Sequence, residues 1–257
     1  MDCVLTAGGV PRAEDLLYGY TRGRSKALLD VGGQPMVQWV LDALSGASTI
    51  DAIFLVGLEP EQGVHSPKIA TYLPNQGSLL RNLLTGIERV LERRPDARQV
   101  AICMADIPLI RAEIVDDFVG RADDPAVSIY YGAVARTTME AQFPDSRRSY
   151  VQLIEGDFAA TDFHVVDPHI AHTHEALWND LIAQRKQPWR QAGRLGLGLF
   201  VRLLLRRLSL QEAERRISRT LDLTLRAHLT PHPELGMDVD KPFQLEICRR
   251  ALQATEP

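Results

Sequence analysis

Residues 5–12 read LTAGGVPR, the end of a short apolar run, two glycines and an arginine close behind. The run starts at residue 2 (DCVLT) and has the length and apolar content of a strand. Glycines at 8 and 9 leave the backbone bare, so N–H groups there can approach phosphate oxygens. The common phosphate loops do not fit. A dinucleotide-binding turn needs Gly-x-Gly-x-x-Gly opening a helix, whereas Gly9 is followed by Val-Pro-Arg and a polar loop to about residue 26. A Walker-type loop needs Gly-Lys-Ser/Thr, and the sequence has none.

Outward from that turn, apolar runs alternate with helical patterns. Pro35, after Gly32 and Gly33, suits the first position of a helix carrying Met36, Val37, Val40, Leu41 and Leu44. AIFLVG (52–57), VAICM (100–104) and VSIYYGAV (127–134) read as strands. Leu80, Leu83, Leu84, Ile87, Val90 and Leu91 recur at helical spacing behind Ser78, a suitable N-cap, and EIVDDFV (113–119) reads as another helix. Such alternation predicts parallel strands with helices on both faces. Residues 149–167, SYVQLIEGDFAATDFHVVD, predict two strands joined at Gly156–Asp157. Residues 175–228 read as helical, with no strand signal before the final LGMDVDKPFQLEICRRAL (235–252). The expectation is a single α/β domain over residues 1–257, with a helical insertion at 175–232.

Composition narrows the class. A chain of 257 residues can bury a sizeable core, and 45% apolar with 24% charged residues is ordinary for a globular protein. A net charge of −4 argues against a nucleic-acid partner, which calls for clustered positive charge. Cys3, Cys103 and Cys248 fit neither a zinc spacing nor a disulfide framework, so a reducing, cytoplasmic setting is expected. The start has no basic, apolar leader pattern. The longest apolar stretch, LGLGLFVRLLL (195–205), is broken by Arg202 and too short to span a membrane.

Open α/β sheets bind ligands beyond the carboxyl ends of their strands. Three features fall there: Ala7-Gly8-Gly9, Asp106 just after VAICMA, and Asp238-Val239-Asp240 before Pro242. A carboxylate at such a strand end can hold a hard cation such as Mg²⁺. Each feature also has a purely structural reading, as a turn or a helix cap. Taken together, a bare turn and two carboxylates make one working set for phosphate and a divalent cation.

LTAGGVPR, RSKALLDVGGQPMVQWVLDAL (24–44), CMADIPLI (103–110) and MDVDKPFQLEI (237–247) resemble the MobA-like nucleotidyltransferase family. Lys26, Gly33 and Pro35-Met36 follow that family's order. The resemblance implies a glycosyltransferase-A type fold, a Rossmann-like three-layer sandwich on a mostly parallel mixed sheet. It also implies that an acceptor oxygen, on a small phosphorylated acceptor, attacks the α-phosphorus of a nucleoside triphosphate and expels pyrophosphate. Lys26 would neutralise the attacked phosphate. Arg12 with Ala7, Gly8 and Gly9 would hold the triphosphate. Asn75, Gly77 and Ser78 would meet the base, and Asp106 and Asp240 would hold Mg²⁺. Two departures stand out. A long loop separates Arg12 from Lys26, so Arg22 or Arg24 can take the Arg12 role. Where relatives carry Gly-Gly-Asn, this chain has Ala160-Thr161-Asp162, which makes Asp162 and the upstream Arg148 the acceptor-side candidates. The resemblance covers residues 1–170 and 235–253 and leaves out 175–232.

Weaker features complete the reading. His164, His169, His172 and His174 are irregularly spaced and joined by no cysteine, which favours a polar loop over a zinc site. Residues 194–219 are basic and amphipathic, and such a helix either lies on an anionic membrane or packs on its own domain or a homodimer partner. Packing is the commoner outcome. Asp238-Val239-Asp240 also suggests a glycosyltransferase using a nucleotide-sugar, and a non-catalytic nucleotide-binding regulator is a third reading.

Overall fold

A computed structural model of the chain describes residues 1–183 and 207–254. The apolar run before the glycine turn forms β1 (Asp2–Thr6), buried at all five positions. It lies between β4 (Ala52–Val56) and β6 (Val100–Met104), parallel to both, with Thr6 level with Val56 and Met104. The carboxyl ends of three strands therefore finish together. β5 (Ile69–Leu73) adds the outer parallel strand beside β4.

Period-two alternation splits the sheet's side chains between two helical layers. Cys3, Leu5, Ile53 and Leu55 pack on Val37, Val40, Leu41 and Leu44 of α2 (Met36–Gly46) and on Ile114, Val115 and Phe118 of α4 (Ala112–Gly120). Val4, Phe54 and Val56 pack the other way, on Ile87, Val90 and Leu91 of α3 (Leu79–Arg93). Each such side chain contributes roughly 1.5–3 kcal/mol on burial, which is why runs apolar on both faces stay in the middle of the sheet. The N-terminus of α3 forms where expected, with the Ser78 hydroxyl accepting from Arg81 N. Pro35 stands one place earlier than expected, at the N-cap of α2, in a short hairpin of β2 (Asp30–Val31) and β3 (Gln34–Pro35). A four-residue helix, α1 (Tyr18–Thr21), interrupts the loop before Lys26.

The far half of the sheet departs from the sequence reading. Residues 149–167 form three strands, β8 (Val151–Leu153), β9 (Gly156–Ala160) and β10 (Phe163–Val166), so Gly156–Asp157 opens a strand and is not its turn. β9 and β10 both run antiparallel to β7 (Ile129–Ala135), on the edge opposite β11 (Leu225–Thr230), which lies parallel along Ile129–Val134 of β7. Residues 156–166 thus act as one bent strand that leaves β6 for β8 at Thr161–Asp162. β11 also corrects the expectation that residues 175–228 are helical throughout. That stretch holds α7 (Glu175–Ala183) and α8 (Leu210–Leu221) among the described residues, and the helical pattern ends at Leu221. α8 is fastened to β11, with Glu214 accepting from Ala227 N at 2.7 Å and Ser218 accepting from Leu225 N at 2.9 Å. Residues 210–219 of the expected amphipathic helix are therefore fastened to their own sheet; residues 194–206 lie outside the described residues. Short helices α5 (Arg136–Gln142) and α6 (Ile170–Thr173) and the terminal α9 (Pro242–Gln253) complete the fold. No described helix is long and apolar enough to cross a membrane.

The bend at Thr161–Asp162 rests on Gly132. A Cβ there would stand 2.0 Å from Thr161 Oγ1 and 2.4 Å from the Phe163 carbonyl oxygen. The backbone carbonyl cannot move without breaking the ladder, so Gly132→Ala is expected to cost about 3 kcal/mol or more, near the upper end for overpacking. Urea denaturation checks this; a midpoint within error of the parent means that the bend accommodates a methyl group.

Candidate active site

The level ends of β1 and β6 and the bend before β10 open on a cleft of about 490 Å³. That is within the range of small-molecule sites. Gly8, Gly9, Arg12, Lys26, Asn75, Gly77, Ser78, Asp106 and Asp162 all line it, so the structure brings nine of the twelve candidate residues to one cavity. Asp240 lines an adjoining cavity of about 500 Å³ that shares Gly9, Val10 and Lys26 with the first. Ala7 and Arg148 line neither.

The glycine turn has two different faces. A Cβ on Gly8 would stand 2.8 Å from Asn75 Cγ and from Asn82 Nδ2, so Gly8 is bare because an asparagine pair presses against it. Asn75 binds the Gly8 carbonyl at 2.7 Å and accepts from Gly77 N at 2.9 Å and from Asn82 Nδ2 at 3.2 Å. Asn82 accepts in turn from Gln76 N at 2.7 Å. Segment 75–78 is thereby tied to the turn. Asn82 escaped the sequence reading, although a polar residue on the buried face of α3, four before Gly86, was a visible signal. A Cβ on Gly9 would approach only the Lys26 side chain, no closer than 3.7 Å. Ala7 is buried, its N–H bound to the Val56 carbonyl at 2.8 Å and its carbonyl to the Ser25 hydroxyl at 2.5 Å. Its N–H belongs to the sheet and is not offered to the cleft, contrary to the expectation from sequence.

Charge converges on Lys26. Its Nζ lies 2.6 Å from Asp106 Oδ2 and 2.6 Å from Asp240 Oδ1, although the two carboxylates are 134 residues apart in sequence. The lysine is set on a short 3₁₀ turn capped by the Ser25 hydroxyl, and its own N–H binds the Gly9 carbonyl at 2.8 Å. The segment carrying Asp240 is held by the Val239 N–H on the Asp106 carbonyl at 2.9 Å. Burial opposes the charged ammonium, but Asp106 and then Asp240 outweigh it and raise the Lys26 pKa. For Asp240, burial is likewise overcome by Lys26, which holds its carboxyl below the ordinary value.

A second charge pair backs the first. Arg148 binds Asp238 and donates to the Ala160 carbonyl at 3.1 Å, so its charge is balanced inside the protein. Arg12, with 79% of its side chain exposed, reaches the cleft from a loop where its N–H binds Asp15 and its guanidinium approaches Glu14 at 3.9 Å. Arg22 and Arg24 are exposed and line neither cavity. The four histidines are dispersed among separate contacts: His164 on Gly132, His169 on Asp167, His174 on the Asp222 carbonyl, and His172 exposed.

Four carboxylates, Asp106, Asp162, Asp238 and Asp240, thus face two cations. Asp106 Oδ1 is buried without a partner. Among the described residues no three metal-binding side chains cluster; Asp106 and Asp240, which meet at Lys26, are two carboxylates of the kind that hold Mg²⁺ together with substrate phosphates. The donor set therefore fits a divalent cation supplied with a phosphate ligand. Asp162 carries the strain of this arrangement. Burial, then Asp106 and Asp238, push its pKa up to about 8 from an ordinary 3.8. The folded chain holds a proton that the unfolded chain releases, so stability from this group is present at low pH and lost as pH rises through about 8. Asp162→Asn is expected to raise the melting temperature at pH 8 by about 2–4 °C without metal or nucleotide, and to flatten its decline between about pH 4 and 8. An unchanged slope in calorimetry defeats this account.

A protein-family model described as "MobA-like NTP transferase domain" matches residues 3–217. The match runs through residues 175–217, which the motif resemblance left out, and stops before Asp240. A hypothetical transferase from Thermus thermophilus is 34% identical, with a TM-score of 0.82 over 95% of this chain and 100% of that one. A CMP:2-keto-3-deoxy-manno-octonic acid synthetase solved with CTP is 16% identical, at a TM-score of 0.62 over 99% of both chains. A 4-diphosphocytidyl-2C-methyl-D-erythritol synthase from Anaerococcus prevotii DSM 20548 is 11% identical, at a TM-score of 0.60 over 98% of this chain and 95% of that one. At those identities the last two speak for the fold alone. No curated protein matches the chain.

Proposed function

The chain belongs to the MobA-like NTP transferase family and is a nucleotidyltransferase, and from that premise we propose that it works with Mg²⁺ on a small phosphorylated acceptor and releases pyrophosphate. An oxygen of the acceptor phosphate forms the new bond to the α-phosphorus as the bond to pyrophosphate breaks. That oxygen is already ionised, so no general base is needed and the work is positioning and charge stabilisation. The observation that carries the reading is the meeting of Lys26, Asp106 and Asp240 beside the glycine turn.

Asp106 and Asp240 would hold the metal. Bound there, Mg²⁺ would neutralise phosphate charge and orient the triphosphate. Lys26, now held by the two carboxylates, would turn its ammonium to the attacked phosphate. Gly9 and Arg12 would face the triphosphate, and Asn75, Gly77 and Ser78 the base. Glycosyl transfer from a nucleotide-sugar finds less support, because Asp238, the first carboxylate of that motif, is engaged by Arg148. The whole chain is read as one domain, supported by the pairing of β11 with β7. A cytoplasmic setting is supported by three free, buried cysteines.

The test is thermal shift with CTP, GTP, UTP, ATP and nucleotide-sugars, with and without Mg²⁺, followed by pyrophosphate release across an acceptor panel. A Mg²⁺-dependent shift with one triphosphate is expected. A shift with a nucleotide-sugar alone, or none at all, overturns the reading.

A further inference from the structure

The asparagine pair at the glycine turn joins two separate parts of the cleft. The turn follows β1, segment 75–78 follows β5, and β4 lies between those two strands. Asn82, in the first turn of α3, is the one polar side chain buried on that helix. Gly86 stands one turn behind it on the same face, and a Cβ there would lie 2.3 Å from Val4 Cγ1. The bare glycine lets α3 lie close on β1, which carries Asn82 to the turn beyond that strand's end.

The hydrogen bonds here form one directed chain. Asn82 Oδ1 accepts the Gln76 N–H, so its amide nitrogen faces the other way and donates to Asn75 Oδ1. Asn75 Oδ1 also accepts the Gly77 N–H, and its Nδ2 donates to the Gly8 carbonyl. Backbone groups at both ends therefore fix both amide orientations, and linked bonds of this kind hold more firmly than separate ones. Helix capping does not account for Asn82. Ser78 already caps α3, and the side-chain partners of Asn82 lie in the loop before that helix. A leucine would fill such a buried place without needing partners at all.

We propose that Asn82 is a positioning residue for nucleotide selection. It acts through Asn75 and Gln76, fixing the base segment at a set distance and angle from the phosphate turn. A triphosphate seated on the turn then presents its base to polar groups that cannot shift to suit a different one. The inference rests on the nucleotidyl-transfer reading and deepens it. Asn75 keeps its own bond to Gly8 when Asn82 is changed, so the phosphate end stays in place while the base end loosens.

Isothermal titration calorimetry with Mg²⁺ tests this, using CTP, GTP, UTP and ATP, with inorganic tripolyphosphate as the probe that has no base. The readout is the affinity ratio between the best-bound triphosphate and the other three. Asn82→Leu removes both side-chain hydrogen bonds and should cut that ratio about tenfold, the scale of a buried polar contact. Asn82→Asp keeps the acceptor for the Gln76 N–H but sets a second acceptor against Asn75 Oδ1. It should cut the ratio too, and its added charge bears on all four triphosphates alike. In Asn82→Leu, tripolyphosphate affinity should stay within about twofold of the parent, and KM for the best triphosphate should rise with kcat held within about threefold. A residue that merely stabilises α3 would lower the melting temperature and leave the ratio where it was, so an unchanged ratio in both variants overturns the proposal. Equal loss of tripolyphosphate and nucleotide binding also overturns it, as does a parent that binds all four triphosphates alike. A parent that binds none of the five probes removes the nucleotidyl-transfer reading as well.

Discussion

Lys26→Met is expected to lower kcat for pyrophosphate release by about a thousandfold, the usual effect of deleting one preorganised charge at a reacting phosphate. Methionine keeps the aliphatic stem against Gly9 and removes only the charge. If the ammonium acts in the transition state, kcat and kcat/KM fall together and the KM for the triphosphate moves little. Lys26 is also the cation between Asp106 and Asp240, each at 2.6 Å, and that offers a purely structural explanation of any loss. The two explanations separate on Lys26→Arg. A structural counter-ion is largely replaced by guanidinium, which restores stability and turnover together. A charge that must reach the phosphate from this turn is not, and the variant melts like the parent while turning over slowly. A methionine variant within fivefold of the parent kcat removes Lys26 from the chemistry.

Asp106→Asn is expected to remove Mg²⁺-stimulated turnover, with a loss of about a thousandfold or more at saturating triphosphate. The substitution preserves shape, and the Asp106 carbonyl that accepts the Val239 N–H is a backbone group, so the 237–240 segment stays in place. What changes is charge. Asp106 Oδ1 is buried without a partner and Oδ2 is held by Lys26, so an amide cannot serve the same cation. The measurement is pyrophosphate release as a function of Mg²⁺ concentration, beside the Mg²⁺ dependence of the triphosphate-induced thermal shift. Both should flatten. A variant with the parent's Mg²⁺ response would falsify the assignment of Asp106 to the metal, and the cation between the carboxylates would then be Lys26 alone.

Much of the near half of the fold is legible without coordinates. CVL (3–5), AIFLV and VAICM are apolar at successive positions because helices cover both of their faces, and Ser78 announces the start of α3 by its hydroxyl. The far half is not. β11 reads LRAHLT, with Arg226 and Leu229 exposed and Leu225 and Ala227 half-buried, so its sequence carries neither a continuous apolar run nor a clean alternation. It is a strand because β7 offers it an edge, a contact about 100 residues distant. The break between β9 and β10 is likewise a packing event, set by Gly132 and invisible in DFAATDF itself.

The site divides along the same line. Local sequence determined which residue types stand at the strand ends: two glycines after β1, a carboxylate after β6, a lysine beyond the loop, and a carboxylate before the terminal helix. These are one-dimensional signals, because a strand end and a helix start are written within a few residues. Only the tertiary structure decided that Lys26 meets both carboxylates, that Asn75 and Asn82 are the reason Gly8 is bare, that the Ala7 N–H is spent on the sheet, and that Arg148 faces inward to Asp238. Such pairings join residues up to 214 positions apart, as Lys26 and Asp240 are. Their distances depend on how the whole sheet is ordered, and no local run of side chains encodes that order.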